Sequence, residues 1–363
     1  MTRIVAFGEV MARLKPAGHG RLRQTLPGTL EVTFGGAEAN VAVSLAMLGA
    51  DAAMVTALPR NPLGDACIDS LRGLGVDTRN VLRTDYGRLG LYFVEAGANQ
   101  RPSVVVYDRE HSSVSLTPAE AYAWDTTLAG ANWLHLTGIT PSLSRSAAEA
   151  TIAAAAAARA AGATVSCDLN FRKKLWQWEK GTPPRKLAEA TMRQVLAHTD
   201  LLVANEEDCA DVLGIHASHT EVESGKLDWQ AYPEVAREVS RQFPQLRHVA
   251  ITLRQSISAT HNNWAAMLYS TGDGKAYFSP LAGGELAPYE IRDIVDRVGA
   301  GDAFGAGLIF ALTTPELAAP QTALDFATAA SCLAHSILGD FNYTSRAEIE
   351  ALMRGSASGR VVR

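Results

Sequence analysis

Cysteine is scarce in this chain. Its 363 residues hold four, Cys67, Cys167, Cys209 and Cys332, scattered and with no Cys-x-x-Cys pair. That argues against a disulfide framework or a thiolate metal site, and buried reduced thiols are expected. No run of about 18 apolar residues occurs, so no membrane span is expected. The N-terminus, Met1-Thr2-Arg3-Ile4-Val5-Ala6-Phe7, lacks the apolar core of a signal peptide and reads as a first strand. Neither sign of charge dominates: 33 basic residues stand against 38 acidic ones, net −5, with no basic block, so nucleic acid is not an implied partner. Two nucleotide fingerprints are also missing. A Gly-x-Gly-x-x-Gly begun at Gly299 would need its third glycine at Phe304, and Ala319 and Pro320 lie where the ribose-binding acid belongs. The Walker pattern fails because the Gly-Lys pairs are followed by Leu227 and Ala276. A soluble cytoplasmic enzyme is the expectation.

Hydrophobic residues make up 47% of the chain, ample for a large core of one large domain or two. Short β-branched runs alternate with alanine-rich stretches. Strands are expected at Ile4–Phe7, Ala53–Thr56, Trp133–Thr137, Thr164–Asp168, Leu201–Ala204 and Val249–Leu253. Helices are expected at Ala39–Leu48, Asp65–Leu74, Ser146–Ala161, Glu206–Leu213, Pro233–Gln242, Ala303–Leu312 and Gln321–Leu338. Such alternation predicts an α/β fold with a mostly parallel sheet covered on both faces. Two segments break the rhythm. Met11 to Thr33 has little helical periodicity, and Leu89 to Val106 reads as a hairpin, so a small extra sheet is expected outside the main one. A later hairpin, Ala265–Tyr269 with Ala276–Ser279, is expected to end the main sheet.

The most informative block is Gly299-Ala300-Gly301-Asp302-Ala303-Phe304-Gly305. Glycines and an aspartate precede an apolar, helix-forming run. Asp302 therefore falls in a first helical turn, where free N–H groups and the positive end of the dipole can hold an anion. A carboxylate beside a bound phosphate can take a proton from a hydroxyl, which is the chemistry of phosphoryl transfer. A plain helix cap is the alternative. Gly35-Gly36-Ala37-Glu38-Ala39-Asn40 similarly opens a helix and lets a small ligand approach the backbone. Asp168-Leu169-Asn170-Phe171-Arg172 and Asn205-Glu206-Glu207-Asp208 each follow an apolar strand, at the end of a parallel sheet where ligands bind. Acids there can hold magnesium.

Taken together, Gly35–Asn40 and Asp296-Arg297-Val298-Gly299-Ala300-Gly301-Asp302 resemble the two signatures of the ribokinase-like (PfkB) carbohydrate kinases, over nearly the whole chain. The resemblance implies a three-layer αβα core, residues 1–8, 36–88 and 110–363, and a small β-sheet lid, residues 9–35 and 89–109. It implies Asp302 as the catalytic base, with the backbone of Gly299, Ala300, Gly301 and Asp302 as the anion hole. Asn205, Thr252, Gly299 and Gly301 would serve ATP, and Glu207 and Asp208 would serve Mg2+. A monovalent cation such as potassium is left open. Within the family the chain is most similar to 2-keto-3-deoxygluconate kinases, through Gly90-Leu91-Tyr92-Phe93, Tyr107-Asp108-Arg109, Asp168 to Trp176 and Gly339-Asp340-Phe341-Asn342. That likeness implies a sugar-acid site formed by Gly35, Gly36, Asn40, Tyr92, Tyr107, Arg109, Asp168, Asn170 and Arg172. Arginine forks suit a carboxylate, which a neutral sugar lacks. A homodimer or higher oligomer through the lid is expected. The rivals are a kinase of fructose, ribose or a nucleoside, and a noncatalytic sugar-binding protein. Three departures stand out. Arg297 replaces the threonine of many relatives, Asp208 replaces a glutamate, and Arg254-Gln255-Ser256-Ile257-Ser258 replaces a glycine-rich nucleotide loop.

Overall fold

Alternating side-chain direction along each strand decides the architecture. Leu202 and Ala204 enter one hydrophobic core and Leu201 and Val203 the other, and Val249 and Ile251 divide from Ala250 in the same way. Strands that bury both faces require helices on both sides. The computed structural model, which describes residues 2–205, 207–216 and 229–355, shows them. The sheet runs in the order Lys275–Ser279, His261–Ser270, His248–Ser258, Leu201–Ala204, Thr164–Asp168, Trp133–Thr137, Arg3–Phe7, Asp51–Pro59, Val81–Thr84. From His248–Ser258 to Val81–Thr84 all neighbours are parallel. The expected terminal hairpin adds two antiparallel strands, and Tyr289–Ile291 pairs with His261–Ser270.

Helices Ala300–Leu312 and Pro320–Ala334 lie on one face, burying Phe304, Leu308 and Phe326. Arg145–Ala160 and Pro184–Leu196 lie on the other. The near-pure alanine stretch forms a packed helix, with Ala150, Ala154, Ala155 and Ala158 buried. The expected Gln321–Leu338 helix ends early, at Ala334. The chain turns there, and the carbonyl of His335 accepts the N–H groups of Val295 and Asp296 at 3.0 and 3.4 Å. The expected Glu206–Leu213 helix spans Asp208–Leu213, and Glu206 lies outside the described residues. All four cysteines are free, three buried and Cys332 partly so. Among the described residues no helix is long and apolar enough to cross a membrane.

A separate four-stranded sheet runs in the order Glu31–Gly35, Met11–Lys15, Gly90–Glu95, Val104–Asp108. The Met11–Thr33 stretch thus contributes two strands around a single helical turn, Leu22–Thr25. Register places Thr33, Arg13, Tyr92 and Tyr107 in one row, and Val32, Leu14, Phe93 and Val106 in the next. Successive rows face opposite sides of a sheet.

Candidate active site

The helix Ala300–Leu312 begins three residues before the expected Ala303. Gly299 is its N-cap, with φ 87°, and Asp302 is the third helical residue. The first intrahelical bond runs from Ala303 N–H to the Gly299 carbonyl, 2.8 Å. The N–H groups of Ala300, Gly301 and Asp302 therefore project from the helix start as an anion cradle. A Cβ at Gly299 would lie 2.2 Å from the Asp340 carbonyl oxygen, so glycine is required by both conformation and space.

Asn40 donates to Asp302 Oδ2 at 2.6 Å from the helix Ala37–Met47. Burial raises the Asp302 carboxyl pKa to about 7; the Asn40 bond opposes this, while Asp340 and Glu38 reinforce it. That is where a general base for neutral pH belongs. Glu38 is buried beneath, accepting hydroxyl bonds from Thr137 and Thr140 at 2.8 Å each.

The N–H cradle, Asn40 and Asp302 border a cavity of about 410 Å³. Of the residues singled out from the sequence, all but Gly35 and Glu207 line it. Gly35 acts from behind: a Cβ there would lie 2.3 Å from Asp340 Oδ2. Glu207 is exposed and faces elsewhere. Asp208 is buried, and its two oxygens accept the N–H groups of Phe171 and Asn205 at 3.1 and 3.0 Å. Asn205 returns the bond, its Oδ1 accepting the Asp208 N–H at 2.9 Å. Thr252 closes that wall, its hydroxyl 3.5 Å from the Ala204 carbonyl. Asp168 titrates well above the usual carboxylate range, through burial and then the charges of Asp208 and Asp302. Three carboxylates thus share one region, with Arg172 offsetting part of their charge. Such an excess suits a divalent cation. Yet among the described residues no cluster of three or more ligating side chains is arranged to hold one. Magnesium fits a site of this kind, where one or two carboxylates are completed by phosphate oxygens and water.

On the small-sheet side, Tyr92 donates to Asp340 Oδ2 at 2.5 Å, and Tyr107 packs against Arg109, whose Cζ lies 5.5 Å from the ring centre. Arg172 is exposed at the cavity rim, with Nη1 bonded to the Phe171 carbonyl at 3.0 Å. Arg109 is buried and already engaged, its Nε 2.7 Å from Glu9 Oε2. Glu9 carries no sequence signal. The same holds for Arg13, whose guanidinium joins Asp340 at 2.7 Å and Asp296 at 2.5 Å. Only register with Tyr92 and Tyr107 reveals that Arg13 shares their face of the small sheet.

Residues 1–340 match the family described as pfkB family carbohydrate kinase. A 2-dehydro-3-deoxygalactonokinase of Haloferax volcanii is 32% identical over 98% of both chains. A fructokinase of Klebsiella pneumoniae is 29% identical over 90% of this chain and 94% of its own. Among solved structures, a 2-dehydro-3-deoxygluconokinase from Thermotoga maritima superposes with a TM-score of 0.87 at 44% identity, covering 98% of this chain and all of its own.

Proposed function

The chain belongs to the pfkB family of carbohydrate kinases, and within it we propose that the protein transfers the γ-phosphate of ATP to the primary hydroxyl of 2-keto-3-deoxygluconate, giving the 6-phosphate. The observation that carries this reading is that Asp302, with a pKa near 7, opens onto the same cavity as Arg172. A base and a carboxylate-binding guanidinium then share one small-molecule site.

Asn40 aims the Asp302 carboxylate at the hydroxyl. Asp302 takes the proton as the hydroxyl oxygen attacks phosphorus and the bond to the departing ADP oxygen breaks. The N–H groups at the start of Ala300–Leu312 stabilise the charge on the transferring group, the largest expected source of acceleration. Asp208 and Asp168 would hold magnesium together with the phosphates, and the ion would neutralise phosphate charge. The small sheet acts as a lid: Tyr92 and Tyr107 cover the sugar and exclude water, which would otherwise intercept the phosphate.

A second reading has its own support. Arg109 is paired with Glu9, which leaves one of the two arginines already neutralised and favours a neutral sugar. Coupled ADP detection with 2-keto-3-deoxygluconate, its galacto epimer, fructose and ribose separates the two. The acid-sugar kinase predicts preference for the keto-deoxy acids. Preference for fructose would sink it.

A further inference from the structure

The wall of the cavity beside the anion cradle carries two more arginines, Arg254 and Arg297. Neither has a part in the chemistry above. Their setting is built. The strand His248–Ser258 continues past Leu253 as an antiparallel ladder, pairing Arg254 with Trp264, Gln255 with Asn263 and Ser256 with Asn262. An extended ladder cannot curl its N–H groups around a phosphate as a turn does. Any anion on this wall must be held by side chains.

Arg297 is fastened to the same hairpin. Its Nη2 donates to the Ser258 carbonyl at 2.9 Å and to Asn262 Oδ1 at 3.2 Å, while its buried Nε has no hydrogen-bond partner. Its pKa lies below the ordinary arginine value, through burial and then the charge of Arg254. His335, also on this wall, stays neutral: burial lowers its pKa to about 4, and both arginines oppose its protonation. The partly buried guanidinium of Arg297 is repelled by that of the exposed Arg254, and an anion between them would reverse that cost. Arg297 also precedes Gly299 by two residues, so its charge adjoins the N–H cradle.

We propose that Arg254 and Arg297 form a side-chain clamp for the β- and γ-phosphates of the donor nucleotide. The clamp rests on the phosphoryl-transfer reading above, but not on which sugar accepts the phosphate. Arg172, which the reading above gives to the acceptor, lines the same cavity.

Calorimetric titration of the full chain with AMP, ADP and a non-hydrolysable ATP analogue, in magnesium, tests this without turnover. Wild type should bind more tightly with each added phosphate. Arg254→Gln and Arg297→Gln should each weaken the ATP analogue by at least about tenfold, and AMP by less than about twofold, a factor too small to mark loss of a charge-assisted bond. Arg297→Lys should recover part of the loss, since it keeps charge without the fork. If both Gln variants kept the wild-type dependence on phosphate number, or lost AMP and the ATP analogue equally, the clamp would be overturned. A wild type that binds no nucleotide would overturn the kinase reading with it. A wild type with graded nucleotide binding that phosphorylates fructose instead would overturn only the choice of sugar.

Discussion

Arg13 and Asp340 are 327 positions apart in sequence and 2.7 Å apart in space. The pair ties a strand of the small sheet to the segment that packs against Gly299, with Asp296 as a second partner. Burial works against the Arg13 charge, but Asp340 and Asp296 outweigh it and raise its pKa. Arg13→Met would leave two buried carboxylates without their cation. Breaking a buried pair from one side costs about 3–5 kcal/mol. Urea unfolding should show a loss of that size, and Arg13→Lys should lose less. A change within error for Arg13→Met would mean that water already shields these carboxylates.

Asp302→Asn keeps shape and hydrogen bonding but removes the basic oxygen. Turnover should fall by about 10²–10⁴, the usual worth of a general base, with sugar binding little changed. Near-normal turnover of the purified variant would remove Asp302 from the base role.

The same residue predicts two pH effects of opposite sense. The base must be ionised, so kcat should rise with pH and level off above about 7. Stability should move the other way. The folded pKa is raised above the ordinary 3.8, so the neutral carboxyl favours folding below that value, and the advantage is lost as pH rises through about 7. Asp302→Asn should therefore match wild-type stability near pH 3 and exceed it at pH 8. Melting temperatures across that range check the sign; a gap that closes at high pH would contradict it.

Arg172→Leu should raise KM for 2-keto-3-deoxygluconate by at least about tenfold, since a charge-assisted bond is worth about 1.5–3 kcal/mol. Lysine at this position should recover only part, and KM for ATP should barely move. An unaffected acid sugar would leave Arg172 as a rim residue and pass the acceptor site to the neutral-sugar reading.

The outer face of the small sheet exposes Val32, Val104 and Val106 at 59, 45 and 49%. We expect this face to pair with that of a second copy. Val104→Ser with Val106→Ser should shift light-scattering mass from dimer to monomer. A wild-type chain that is monomeric at working concentration would end the idea.

What the sequence revealed followed distance along the chain. Asp302 could be placed at a helix start because its glycines, its carboxylate and the apolar run after it are contiguous. The sheet could be read because strands buried on both faces are continuous apolar runs. Helix Pro184–Leu196 was missed although its buried positions, Leu187, Ala188, Thr191, Met192, Val195 and Leu196, carry a clear helical period. Strand Val81–Thr84 is short, lies at the edge and has little apolar signal. Arg13 with Asp296 and Asp340, and Glu9 with Arg109, were beyond reach for another reason. Each contact is made by folding distant segments together, and a lone arginine or glutamate in or beside a strand reads as surface charge. Glu207 was assigned to magnesium from its place after a strand and from the resemblance; it is the N-cap of the helix Asp208–Leu213, exposed, and outside the cavity lining.

The chain passes between the main and small sheets four times: after Phe7, after Gly35, after Thr84 and after Asp108. Glu9, Gly36, Leu89 and Arg109 occupy those crossings, and Glu9 and Arg109 are bonded to each other. A cover attached by one flexible strap could swing without disturbing what lies beneath it. A cover attached at four points, two of them locked together at the cavity edge, can tilt only by moving the segment that leads into Asn40. Substrate entry and the aim of the base then become one mechanical coordinate, so substitutions that loosen the crossings would blur turnover and affinity together.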